Sequence, residues 1–216
     1  MAQTDTYPNI EALENAETVG VAYNIEVKRQ NPSMIYFSPH AGGIEVGTTE
    51  LIYRVVELTG GSLYLFQGLL PSGNSRLHVT STHFDEPMAV CMLSKHTDAV
   101  SFHGYKDDYN KNTLVGGLNT ELRNLIVSKL NSKGIAAEVA TDRFTATDPD
   151  NIVNRCASGK GVQLEISSAQ RRAFFQNNDW SKANRGNVTQ EFLDYAEAIK
   201  EAEAEYYGLE HHHHHH

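Results

Sequence analysis

Four side chains in this sequence combine chemistry with suggestive placement: His40, Glu45, His103 and Glu165. His40 follows the apolar run Met34-Ile35-Tyr36-Phe37 and the stiff pair Ser38-Pro39, and it precedes Gly42-Gly43. His103 closes Ala99-Val100-Ser101-Phe102 and is followed by Gly104. An apolar run bounded by turn residues reads as a buried strand, so both imidazoles fall at strand ends. The glycine pair lets the chain bend tightly, which would bring Glu45 back towards His40. Two His and one Glu are a catalytic zinc set that leaves one position open. A cation there acidifies a water, and a separate carboxylate is then needed as general base. Glu165, inside the run Val162-Gln163-Leu164-Glu165-Ile166-Ser167, is the candidate, because a buried carboxylate without a task is costly. The plainer readings are a capped loop with an isolated His40, and a Glu165 ion-paired to Arg155 or Arg171.

The remaining polar candidates carry weaker signals. His78 and His83 follow apolar residues and could line a crevice, or could each bond a loop. His96 stands at an expected helix end, where the dipole favours it without any ligand role. Arg155, just before the Glu165 run, could hold a substrate carboxylate through a planar two-point contact, or be an ordinary surface residue. Arg171-Arg172 add positive charge beyond the same run. Ser158-Gly159-Lys160-Gly161 lacks the phosphate-loop pattern and precedes a strand.

The elements that must position these residues alternate. Helices are expected over 9–16, 45–59, 85–92, 113–131 and 188–207, and strands over 34–37, 62–70, 77–84, 99–104, 135–141 and 162–167. Residues 1–33 read as a polar lead, and 150–155 as a loop or one helical turn. Strands alternating with amphipathic helices predict a single-domain three-layer α/β/α fold with an open, mostly parallel mixed sheet. Such a sheet places its ligand crevice beyond the strand carboxyl ends, where His40, His103 and Glu165 would meet. The domain is expected over residues 1–208, with Leu209-Glu210 and six His as an appended expression tag.

Composition narrows the function classes. Lys plus Arg number 18 and Asp plus Glu 27, a net charge of −9, which disfavours general nucleic-acid binding. No apolar stretch is long enough to span a bilayer, and the N-terminus carries no secretory signal pattern. Two distant cysteines, Cys91 and Cys156, make neither a disulfide framework nor a thiolate zinc site. Synthesis in the cytoplasm follows as the expectation.

Four blocks in order, Ser38 to Glu50, Ser101 to Gly104, Val153 to Cys156 and Gly161 to Ser167, resemble the poly-γ-glutamate hydrolase family, and its phage-encoded members in particular. The resemblance covers residues 1–208. It implies a fold similar to zinc carboxypeptidases, with one zinc held by His40, Glu45 and His103 and with Glu165 as general acid/base. The spacing here is H-x-x-x-x-E, wider than the H-x-x-E of carboxypeptidases. By the same likeness Asn154 and Arg155 would bind a substrate carboxylate; on charge and position alone, Arg171 and Arg172 are expected to bind further along the polymer and His78 is a candidate substrate contact. The implied activity is hydrolysis of γ-glutamyl amide bonds in poly-γ-glutamate, with no nucleic-acid or membrane partner and a monomeric chain. A phage enzyme of this kind would be made in the host cytoplasm and act outside on capsule after lysis. A zinc deacylase of small N-acyl amino acids and a non-catalytic anion-binding module remain as alternatives.

Overall fold

The computed structural model describes residues 4–214, with side chains described to Gly208. Seven strands form one mixed sheet in the order β1-β3-β2-β4-β7-β5-β6. They are β1 (Tyr23–Lys28), β2 (Met34–Gly42), β3 (Ser62–Gly68), β4 (Asp98–Tyr105), β5 (Thr113–Gly116), β6 (Ala137–Val139) and β7 (Val162–Ser167). The central pairs β3/β2, β2/β4 and β4/β7 are parallel, as is β5/β6, whereas β1/β3 and β5/β7 are antiparallel.

Side-chain alternation along β2 explains the three layers. Met34 and Tyr36 face a core built with α2 (Thr48–Thr59), α4 (Thr120–Ser132) and α6 (Gln190–His214). Ile35 and Phe37 face a second core with α1 (Ile10–Ala16) and α3 (Pro87–Ser94). Because both faces are covered, the inner strands are apolar in both phases, which is why they read as continuous apolar runs. The three-layer, mostly parallel mixed sheet agrees with the expectation from sequence.

Three local expectations are corrected. Residues 77–84 are not a strand: Asn74–Leu77 is a 3-10 turn, and His83 N–H closes a turn on the Thr80 carbonyl. The backbone there is satisfied by side chains, Thr80 N–H by Asp5 and the Val79 carbonyl by His40, in place of a neighbouring strand. The helix expected from 113 begins only at Thr120, because Asn119 caps it by accepting from Leu122 N–H. Thr113–Gly116 before it is strand β5, and Gly117 turns the chain at φ 110°. Finally, the polar lead contains the edge strand β1 in addition to the expected helix, α1. A short fifth helix, α5 (Ser168–Arg172), follows β7 directly, capped by Ser167.

Candidate metal centre

The centre is built where β2 leaves the sheet. Pairing with β3 shifts register between Ser38 and Ala41, and Pro39 sits in that bulge, where its missing N–H breaks no ladder. The bulge re-aims His40, which is buried. Its Nε2 donates to the Val79 carbonyl at 2.6 Å, so a neutral ring leaves Nδ1 as a bare lone pair. The next residues fold back sharply. Gly42 has φ 64°, and a Cβ on it would strike the Gly68 backbone, while one on Gly43 would overlap the Asn74 amide. Glu45 N–H then bonds the His40 carbonyl at 2.9 Å, and this turn is how the H-x-x-x-x-E spacing closes.

His40 Nδ1, His103 Nδ1 and Glu45 Oε1 form a small triangle with edges of 3.1, 3.2 and 3.3 Å. Ligands at about 2.0–2.1 Å in a tetrahedral zinc site stand about 3.3 Å apart, so the triangle has the size of one coordination face. His103 Nε2 is buried without a hydrogen-bond partner among the described residues, so Nδ1 is the nitrogen of this ring that meets other groups. A second grouping also has metal-ligand spacing: His40, Glu45 and His78. The His78 ring stacks on His40 with centroids 3.9 Å apart, and its Nε2 lies 3.8 Å from Glu45 Oε2, longer than a tetrahedral edge. The first triangle is the tighter fit, with His78 just outside it.

Electrostatics separate the two carboxylates. Burial opposes ionisation of Glu45, but the His40 and His103 imidazoles outweigh it and hold its carboxyl well below the usual range. Gly104 N–H also donates to Glu45 Oε1 at 3.1 Å. Glu165 goes the other way: burial and then the Glu45 charge push its carboxyl well above the usual range. Glu165 makes no ion pair among the described residues, and the plain reading of a salt bridge to Arg155 or Arg171 is not realised. Gln163 Nε2 approaches Glu165 Oε2 at 3.4 Å. Two neighbouring carboxyls thus have opposed proton affinities, the kind of pair that can divide two chemical roles.

A family model described as poly-gamma-glutamate hydrolase matches residues 7–198. The chain belongs to the poly-gamma-glutamate hydrolase family. The SPbeta prophage-derived UPF0714 protein YoqZ of Bacillus subtilis (strain 168) is 42% identical over 88% of this chain and 69% of its own. The UPF0714 protein YmaC of the same organism is 39% identical over 92% of this chain and 83% of its own. A solved structure named YNDL-apo (Zinc-free) superposes with a TM-score of 0.88 at 32% identity, covering 94% of this chain and 100% of that one.

The other expected site residues of this family member take different places. His78 is drawn into the centre by Asp5, whose Oδ1 accepts from its Nδ1 at 2.8 Å, while the Asp5 carboxylate also holds Thr80. The His40 charge and burial lower the His78 pKa despite Asp5 and Glu45. A neutral His78 with its proton on Nδ1 therefore turns a bare Nε2 inwards. Asp5, in the polar lead, carried no sequence signal.

Arg171 is buried and makes three hydrogen bonds to main-chain carbonyls. Its Nε donates to the Ile166 carbonyl at 3.0 Å, Nη1 to Val46 at 3.0 Å and Nη2 to Tyr105 at 3.3 Å. These carbonyls lie one residue after Glu165, one after Glu45 and two after His103. One guanidinium thus ties together the three segments that bring those side chains to the centre. This bracing replaces the polymer contact expected for Arg171. Arg172 lies over the Trp180 ring at 3.9 Å.

Asn154 is buried, donating to the Ala146 and Asp148 carbonyls and accepting from Gly161 N–H. Its amide pins loops, so the carboxylate contact expected of it has no free donor. Arg155 is exposed and lines a cavity of about 710 Å³ with Asp5, Thr80 and His83. That cavity adjoins the outer side of His78 through the shared Asp5 and Thr80. The exposed Arg143, over Tyr105 and Phe144, was not marked by any motif.

Proposed function

We propose that the protein is a zinc-dependent amidohydrolase that cleaves γ-glutamyl amide bonds within poly-γ-glutamate. The observation that carries this reading is the triangle of His40 Nδ1, His103 Nδ1 and Glu45 Oε1. Family membership supports the substrate, and the zinc named for the solved relative supports the metal. His40, Glu45 and His103 would hold one zinc per chain, which supplies Lewis-acid polarisation and a more acidic water when bound.

The chain's own groups account for the proton movements. Glu165 is buried, and in ionised form its raised proton affinity makes it the stronger base. Its carboxylate takes a proton from the attacking water as oxygen bonds to the γ-carbonyl carbon. The same proton then passes from Glu165 to the nitrogen as the C–N bond breaks, giving an amine and a carboxylic acid that then ionises. Gly104 N–H and the three Arg171 hydrogen bonds keep Glu45 and the Glu165 strand end from shifting during these steps. His78 lines the approach on the Arg155 side, where Arg155 meets the carboxylates of the polymer.

The prophage origin named for one relative supports a phage enzyme that strips the capsule of a Bacillus host once lysis releases it. The polymer is the partner, and the chain acts as a monomer. The test is chelation of tag-free protein followed by zinc readdition, read by product size on purified polymer. Cleavage should stop and return; product sizes that do not respond to chelation contradict the reading.

A further inference from the structure

The polymer carries one free α-carboxylate per unit, and its position relative to the scissile bond is fixed by chemistry. The nitrogen that leaves is attached to the α-carbon of the next unit, and that carbon bears the carboxylate. A negative charge therefore lies two bonds from the nitrogen that Glu165 protonates. A guanidinium on the Glu165 side of the centre would meet it; Arg155 instead lines the cavity next to His78, with Asp5 and Thr80.

The β-sheet register shows what stands there. β7 carries Glu165 between His103 of β4 and Leu114 of β5. Tyr105 follows His103 by two residues and shares its face. Tyr105, Leu114 and Ala140 form a small buried cluster with Phe144 packed on it. Arg143 lies on this wall, its guanidinium carbon 4.9 Å from the Tyr105 ring centroid and 5.3 Å from that of Phe144. Stacking of this kind fixes the plane and leaves the N–H edges open.

Two further observations mark the position. The Arg143 guanidinium has no hydrogen-bond or ion-pair partner among the described residues. Asp107, the acid within its field, uses its oxygens on Tyr109 and Asn110. The loop that carries Arg143 is also held in costly backbone: Phe144 has φ 60° and Ala146 φ 51°. Gly117 N–H secures it through the Thr145 carbonyl at 2.8 Å, and Gly116 is the residue over which Phe144 and Thr145 can pass. Strain of this kind persists where the surroundings hold a ligand-facing group in place.

We propose that Arg143 binds the α-carboxylate of the glutamyl unit whose nitrogen leaves, and so makes the enzyme select an acidic unit over an amidated one at that position. This rests on the γ-glutamyl hydrolase reading above. The test compares a γ-linked glutamyl oligomer with the same oligomer carrying a single α-carboxamide, on the unit whose nitrogen leaves at the bond being followed, using the zinc-loaded full chain. Wild type should favour the acid oligomer in kcat/KM by about ten- to hundredfold, the range of a two-point charge-assisted contact. Arg143→Gln should raise KM for the acid oligomer and leave the amide oligomer within about twofold, so that the preference collapses. Arg143→Lys, which keeps charge and loses the fork, should fall between. A wild-type preference surviving in Arg143→Gln, or an equal loss on both oligomers, overturns the assignment. Wild type cleaving both equally does the same. Wild type cleaving neither sinks the hydrolase reading instead, and this assignment with it.

Discussion

His103 and Glu165 are directly paired across β4 and β7 in parallel register. Paired residues of neighbouring strands stand about 4.8 Å apart with side chains on one face. The sheet itself thus sets a candidate ligand beside a candidate base, although 62 positions separate them in sequence. Neither needs a flexible loop to find the other.

That pairing gives Glu165 a sharp test. Glu165→Gln keeps shape and hydrogen bonding but cannot accept the water proton. Polymer cleavage should fall by about 10²–10⁴-fold, the usual worth of general acid–base catalysis. Zinc content should stay at the wild-type level, because Glu165 is outside the ligand triangle. Near wild-type turnover in this variant would remove Glu165 from its role.

Arg171 is expected to act on the centre without touching substrate. Arg171→Met removes the donor from two buried carbonyls, at Ile166 and Tyr105, and from the half-buried one at Val46. A loss of roughly 2–4 kcal/mol in denaturant unfolding should follow, together with weaker zinc retention against a chelator. Gly104→Ala should resemble it, because a Cβ on Gly104 would collide with the guanidinium. A stability change below about 0.5 kcal/mol in Arg171→Met would contradict the bracing role.

Much of this arrangement was legible in the sequence, and its limits have physical causes. The runs at β2 and β7 are apolar in both phases because they are buried on both faces, and the glycines after His40 and His103 mark where the backbone must turn. Register is not written in either run, so the His103–Glu165 pairing was accessible only as a convergence at one sheet edge. Arg171 reads as half of an exposed basic pair, because nothing local announces that α5 turns it under three strand ends. β1 alternates Tyr23, Ile25 and Val27 with Asn24, Glu26 and Lys28, a strand pattern hidden by the polar composition around it. In β5, Leu114 happens to continue the helical spacing of Leu118 and Leu122, so local periodicity pointed to helix while the Gly116-Gly117 break went the other way.

A pH effect is expected far from the centre. Burial raises the Glu203 carboxyl from 4.5 to about 7, partly offset by the hydrogen bond from the Tyr36 hydroxyl and reinforced by the Asp98 charge. The folded state binds this proton more tightly than the unfolded chain. The stability it brings is therefore complete below about pH 4.5 and is lost as pH rises through about 7. Glu203→Gln should gain on wild type steadily across that interval in unfolding free energy, with the gap levelling off above it. Parallel curves for the two proteins would show that Glu203 titrates alike folded and unfolded.

The convergence of His40, Glu45 and His103 on one cation is the claim on which the catalytic account depends. Its most direct test is the zinc content of protein freed of residues 209–216, since six appended His bind metal themselves. Wild type should hold about one zinc per chain after dialysis. His103→Ala and Glu45→Gln should fold and hold far less. Folded wild type that retains no zinc, or variants that retain as much as wild type, would contradict the account.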